Sequence, residues 1–333
     1  MIMQEKVEEN LTAADIELPG QERYVAPLED TPLQEVDSVD ESVPVSGMWS
    51  DAWRTLRRNP LFIISAILIL AIFFIALFPG VLVKSGAPFN GNPTYCSLDY
   101  SLAHGSAGHP FGFDKQGCDV YARVIYGTRT SVTIGLIATI LAVLVGSMIG
   151  ALAGFFGGWV DAVLSRITDI FLALPMLLGA IVVLQMFKST KSMWKIIMVM
   201  VLFGWVSVAR IARSAVMESK NLEFNIASTA LGSRPARNLF RHIIPNSLAP
   251  IIVVGTTSLG SYIVLEATLS FLGIGLPTTT VSWGGDIFTY SRYFNNNPEV
   301  LLCPSIALAI TVLSFIMMGD AVKDALDPKS RKA

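Results

Sequence analysis

Charge is scarce in this sequence. Of 333 residues only 15% are Asp, Glu, Lys or Arg, where soluble domains carry about a quarter. That deficit excludes a water-facing surface over most of the chain, and the 52% of hydrophobic residues point to lipid instead. Cysteine is sparse too: Cys96, Cys118 and Cys303 are too few for a disulfide-built scaffold. No G-x-x-x-x-G-K-[ST], H-E-x-x-H or G-x-S-x-G occurs. These absences leave no phosphate cradle, zinc-protease site or nucleophile elbow, and no catalytic residue is expected. If the protein works against a gradient, the driving chemistry resides elsewhere. No internal repeat is visible, so the repeat architecture of many secondary transporters finds no support. No signal peptide is expected, because an acidic stretch precedes the first apolar run.

The charge that is present is segregated. Thirteen of the 26 acidic residues, but only two of the 24 basic ones, fall between Met1 and Asp51. Residues 1–46, with Pro19, Pro27, Pro32 and Pro44, are expected to form a disordered acidic tail, with a docking tail as the alternative. Next comes MWSDAWRTLRRNP. Trp49, Trp53 and Leu56 share a helical face flanked by Arg54, Arg57 and Arg58, which suits a helix lying on lipid headgroups.

Six apolar runs follow: 60–83, 131–156, 161–187, 193–215, 246–269 and 300–319. The first holds 24 residues without a charge, and as a helix it covers about 36 Å against a bilayer core of about 30 Å. The expected fold is therefore an all-α polytopic membrane protein with six transmembrane helices. Six Lys/Arg against two acids between Arg210 and Pro245, and Lys323, Lys329, Arg331 and Lys332 near the C-terminus, place both termini in the cytoplasm. The organisation is read as a tail (1–46), an interfacial helix with the first span and an extracytoplasmic loop (47–130), and a transmembrane core (131–326).

Several features invite a role. Ala138, Ala142, Gly146, Gly150, Gly154 and Gly158 recur every four residues and strip one helix face of side chains. Such a seam is expected to pack statically against a neighbour; sliding is the alternative. Arg166 and Asp169 stand three apart and are expected to form a structural ion pair rather than a proton relay. Glu266, near the outer end of the fifth run, faces either a water-filled translocation path or the outer interface. GIGLPTTTVSWGGD after it reads as a re-entrant or surface loop. Cys96 and Cys118, with His104 and His109 between, form either a disulfide or two free thiols. A bridge would contribute about 3 kcal/mol through chain entropy. Their spacing matches no metal-finger pattern, and no metal site is expected.

One short polar segment interrupts the apolar pattern: EFNIASTALGSRPARNLFRHIIPN, Glu223 to Asn246. Asn221 is expected to cap a helix of about ten residues opened by Glu223 and closed by Gly232, with Ser233 and Pro235 starting a second short helix. Too short to span, the first helix suits a groove in another protein.

This segment resembles the EAA motif of bacterial ATP-binding-cassette (ABC) importer permeases. Ala227 and Ser228 stand where that family has an Ala-Ala pair, Gly232 where it has its glycine, and Ile244-Pro245 at its ending. Ile226 stands where the family often has glutamate, with Glu223 nearby. HPFGFDKQGCDVYARVIYGTRTSVTIG, LEATLSFLGIGLP, SWGGDI and MGDAVKDALDP resemble, in the same order, the C-type permeases of the dipeptide/oligopeptide/nickel subfamily, so the likeness covers about residues 50–328. The resemblance implies a type I ABC importer permease fold and a coupling helix near 221–232 docked on an ATPase through Glu223, Ile226, Ala227, Ser228 and Gly232. It implies a sister permease, two cytoplasmic ATPase subunits holding ATP and Mg, and an extracytoplasmic peptide-binding protein. This chain itself would bind no cofactor and no nucleic acid. The implied activity is import of di- or oligopeptides across the bacterial plasma membrane. The alternatives are nickel or another small solute in the same family, a secondary transporter, or a membrane scaffold without transport.

Overall fold

Apolar runs become helices here, and the places where they bend or end have local causes. A computed structural model describes residues 48–83, 91–187, 192–277, 279–295 and 297–326. The acidic tail 1–46, Lys84, and the basic residues Lys329, Arg331 and Lys332 lie outside the described residues. Helix α1 (Met48–Leu56) precedes α2 (Pro60–Leu77), whose first turn is capped by Asn59 accepting from the Leu61 N–H at 2.9 Å. The expected span to residue 83 stops early. Pro79 has no N–H to continue the ladder, and a separate turn, α3 (Pro79–Leu82), follows.

The second span is longer than the uncharged run 131–156. Helix α4 (Val120–Phe156) begins eleven residues sooner, with Asp119 accepting from Tyr121 N–H at its start. The charges that hid this extension are satisfied elsewhere in the chain. Arg129 donates at 2.8 Å to the carbonyls of Ala76 and Leu77, two of the orphan acceptors at the end of α2.

The third run divides into α5 (Gly158–Ala173) and α6 (Met176–Met186), bent by 83° at Leu174–Pro175. Proline interrupts the ladder and restricts the residue before it. Helix α7 (Met193–Lys220) is capped by Ser192 and runs past the expected end at 215. Then come α8 (Glu223–Ala230), α9 (Pro235–Asn238), a π-helical turn (Leu239–Ile243) and α10 (Ile244–Phe271). The Gly/Pro-rich stretch after α10 is more than a loop. It contains α11 (Trp283–Tyr290), started by Ser282 and packed through a buried Trp283. Helix α12 (Pro298–Leu326) closes the described chain. Among the described residues, five helices are long and apolar enough to cross a membrane, or six if the bent α5–α6 pair counts as one span.

Helix α4 packs along α7 and against α10, and α12 packs against α10 and α2. The contact with α7 is the small-residue seam: Ala138, Ala142, Gly146, Gly150 and Gly154 are all buried. A Cβ on Gly146 would lie 2.7 Å from Val208 Cβ, and one on Gly154 2.8 Å from the Arg213 carbonyl. Only hydrogen leaves room for this approach. Gly158, the last of the expected series, falls beyond the helix end and takes no part. The main core gathers Ile134, Ile196, Ile197, Met200, Tyr262 and Leu269.

Candidate functional site

Helix α8 leaves the end of α7 after two residues. Asn221 does not cap it: Leu222 occupies the N-cap position without a side-chain bond. Asn225, buried, instead donates to the Lys220 carbonyl at 2.8 Å and ties α8 to α7. The helix ends in a Schellman arrangement. Gly232 adopts φ +83°, its N–H donates to Thr229 O at 2.9 Å, and Ser233 N–H donates to Ser228 O at 3.1 Å. Asn238 of α9 holds the far side, accepting from Ser228 Oγ at 2.9 Å and donating to Thr229 Oγ1 at 3.0 Å.

With Asn225 and Ser228 thus engaged inward, apolar residues in and beside α8 face outward. Leu222, Phe224, Ile226 and Leu231 are 41%, 43%, 58% and 89% exposed. Glu223, Ala227 and Gly232 are exposed as well, and Ser228 is half-buried. Beside them a cavity of about 430 Å³ is lined by Ser228, Leu231, Gly232, Arg237, Arg241 and His242. A short helix presenting large apolar side chains over a basic rim has the character of an interaction surface.

At the opposite end of the bundle, Glu266 is fully buried, so exposure at an interface does not apply. It accepts from Ser131 Oγ (3.1 Å) and Ser270 Oγ (2.8 Å), linking α10 to α4. Trp283 donates its Nε1–H to Val124 O at 3.0 Å and locks α11 onto α4. Arg123 pairs with Asp286, and Tyr290 donates to Asp114 at 2.9 Å. Asp114 in turn accepts the Cys118 N–H at 2.8 Å. Cys118 lies beside Cys96 with sulfurs 2.01 Å apart, whereas Cys303 is free. His109 and Asp119 form a further buried pair at 2.9 Å.

Arg166 and Asp169 approach to 3.6 Å but are 85% and 51% exposed, which makes their pair a weak one. Asp169 also reaches Arg210 at 3.8 Å. The tighter contact joins Arg213 to Asp161, with Arg213 Nη2 at 2.6 Å from Oδ2. Sequence reasoning missed the Asp161–Arg213, Arg123–Asp286 and His109–Asp119 pairs. The first two join residues 52 and 163 positions apart, and no local spacing signals them.

A helical bundle with five or six candidate spans among the described residues, and an exposed apolar helix between two of them, has the architecture of a multi-pass membrane protein. The chain belongs to the family of binding-protein-dependent transport system inner membrane components, whose match covers residues 146–332. Residues 47–97 match the N-terminal transmembrane domain of oligopeptide transport permease C. It is thus a multi-pass protein of the plasma membrane. The oligopeptide transport system permease protein OppC of Bacillus subtilis is 36% identical, over 86% of this chain and 91% of that one. The dipeptide permease DppC of Alkalihalophilus pseudofirmus is 35% identical over 85% and 90%. The glutathione permease GsiD of Pectobacterium atrosepticum is 31% identical over 84% and 91%. In fold, the chain is similar to the MetNI methionine ABC transporter in an inward-facing conformation, with a TM-score of 0.52 at 18% identity, covering 62% of this chain and 96% of that one.

Proposed function

We propose that this chain is the C-type half of a heterodimeric permease that moves di- or oligopeptides inward, driven by ATP hydrolysis on two separate cytoplasmic subunits. The observation that carries this reading is α8. It exposes Leu222, Phe224, Ile226 and Leu231 outside any span, in the segment that resembles the EAA motif. Similarity to permeases named for oligopeptide, dipeptide and glutathione transport favours peptide cargo over nickel. ATP and Mg belong to the ATPase subunits, an extracytoplasmic binding protein delivers the peptide, and this chain performs no catalysis. The tail, the first-span region to residue 130 and the core from 131 are its three parts. The basic residues around α8 face the cytoplasm, as do both termini.

The test is the purified complex with its cognate binding protein in proteoliposomes. Peptides are expected to stimulate ATP hydrolysis several-fold and to accumulate inside, and nickel to do neither. A chain that purifies without any ATPase partner would overturn the importer reading; stimulation by nickel alone would overturn the cargo.

Under the same reading, Cys96 and Cys118 form a disulfide on the extracytoplasmic face, clamping the loop whose Asp114 holds Tyr290 of α11. The denatured, unreduced protein is expected to titrate one thiol, from Cys303, and three after reduction. Three thiols before reduction would reject the bridge.

A further inference from the structure

Helix α5 is poorly held by packing. Thr168 is its one buried residue, while Trp159, Val163 and Ile170 are 77%, 49% and 65% exposed. A cavity of about 340 Å³, lined among others by Gly150, Ala153, Leu164 and Arg210, separates it from the α4–α7 pair. Both ends of α5 are built to pivot. Gly157 and Gly158 at its start have φ +64° and +54°, with open space where a Cβ would stand. The 83° break at Leu174–Pro175 ends it.

Ion pairs and ring contacts cross to α7 in antiparallel order. Asp161 meets Arg213, Asp169 meets Arg210, and Phe171 meets both Trp205 and Phe203, with ring centroids 5.6 Å and 6.1 Å apart. Helix α7, by contrast, is fixed to α4 through the glycine seam and leads within two residues into α8. Lys220 adds a bond at 2.8 Å to the Phe155 carbonyl near the end of α4. Force applied to α8 therefore moves α7 and α4 as one body. It reaches α5 through the two ion pairs and the ring contacts of Phe171, and through α5 it reaches the elbow at Leu174–Pro175.

We propose that the Asp161–Arg213 pair, backed by Asp169–Arg210, is the fastener that makes α5 follow the coupling helix, so that it sets how much uptake each ATP turnover yields. This makes Asp161 and Arg213 positioning residues for transport. The inference rests on the importer reading above.

The experiment uses the complete complex, comprising both permeases, ATPases and binding protein, in proteoliposomes. It records peptide uptake and ATP hydrolysis on the same preparation. Wild type comes first: if it shows no peptide-stimulated hydrolysis, the importer reading itself fails. With wild type active, D161R and R213D singly are expected to lower uptake per ATP about fivefold or more while hydrolysis persists. The reversed pair D161R/R213D is expected to recover most of that ratio, because the partners are only exchanged. A merely structural role would lower uptake and hydrolysis together and leave their ratio at the wild-type value, with or without recovery on reversal. That outcome, or single variants with a wild-type ratio, overturns the proposal. If D161R fails to reach the membrane, D169R, R210D and their reversed pair, on half-exposed positions, give the same comparison with a smaller effect. An unchanged ratio there overturns the proposal equally.

Discussion

Valine at position 150 is expected to leave almost no assembled permease in the membrane. A Cβ on Gly150 would overlap the Ala209 carbonyl and stand 2.8 Å from Ala212 Cβ and 2.9 Å from the Arg213 N–H. Two of those three neighbours are backbone atoms of a helix and cannot rotate aside. Overpacking a core by a methylene or two costs about 1–3 kcal/mol when side chains can adjust. Here the whole of α7 has to move, and Gly146 and Gly154 hold it on either side. Gly255 provides the control, because a Cβ there meets only Val143 Cγ2, at 3.2 Å, the end of a side chain. Measured by membrane level and by a monodisperse peak in mild detergent, G150V is expected to be lost, G150A to be reduced, and G255A to resemble wild type. A monodisperse G150V with wild-type thermal stability would show that the seam yields more than its geometry allows.

The same seam shows what a single sequence reveals about this protein and what it conceals. Its four-residue recurrence of small residues was legible because a helix repeats its faces at nearly that interval. That α7 fills it was not, since nothing local in 193–220 names a partner. The hydrophobic runs located the spans, but charge misplaced an end. Arg123 and Arg129 read as loop residues before 131, yet both lie in α4, matched by Asp286 and by the carbonyls ending α2. Helix α11 was hidden for a related reason. Glycine and proline around it signal a loop, and its buried Trp283 and Asp286 take their meaning from α4. Pro175 supplies a local cause for the break in the third run, whereas nothing local supplies its angle of 83°. In the short segment around α8 the stop at Gly232 was readable from residue type, whereas the start was not: Asn221 has the right chemistry for a cap but sits one position early. Local backbone preference thus carried through to the structure, while pairing across the bundle did not.

Gly232→Val is expected to abolish most uptake while leaving the protein in the membrane at its normal level, and the two halves of that expectation have separate causes. No atom lies within 4 Å of where the new Cβ would stand, so the substitution creates no clash and the bundle is untouched. The backbone at φ +83° is the difficulty, because a β-branched residue resists it at a cost of about 1–2 kcal/mol. That strain is relieved most easily by opening the Schellman bonds to Ser228 and Thr229, which fray the last turn of α8 and release Leu231, the most exposed apolar side chain beside it. The lost element is the surface the ATPase subunits are proposed to grip, so fewer of them are expected to co-purify, and uptake is expected to fall about tenfold or more. Asparagine distinguishes this account from a simple intolerance of side chains at 232. It is larger than alanine but accepts the left-handed conformation. Uptake is therefore expected to rank glycine, asparagine, alanine, valine. A ranking by size, or full uptake in G232V, would remove the turn from the coupling pathway.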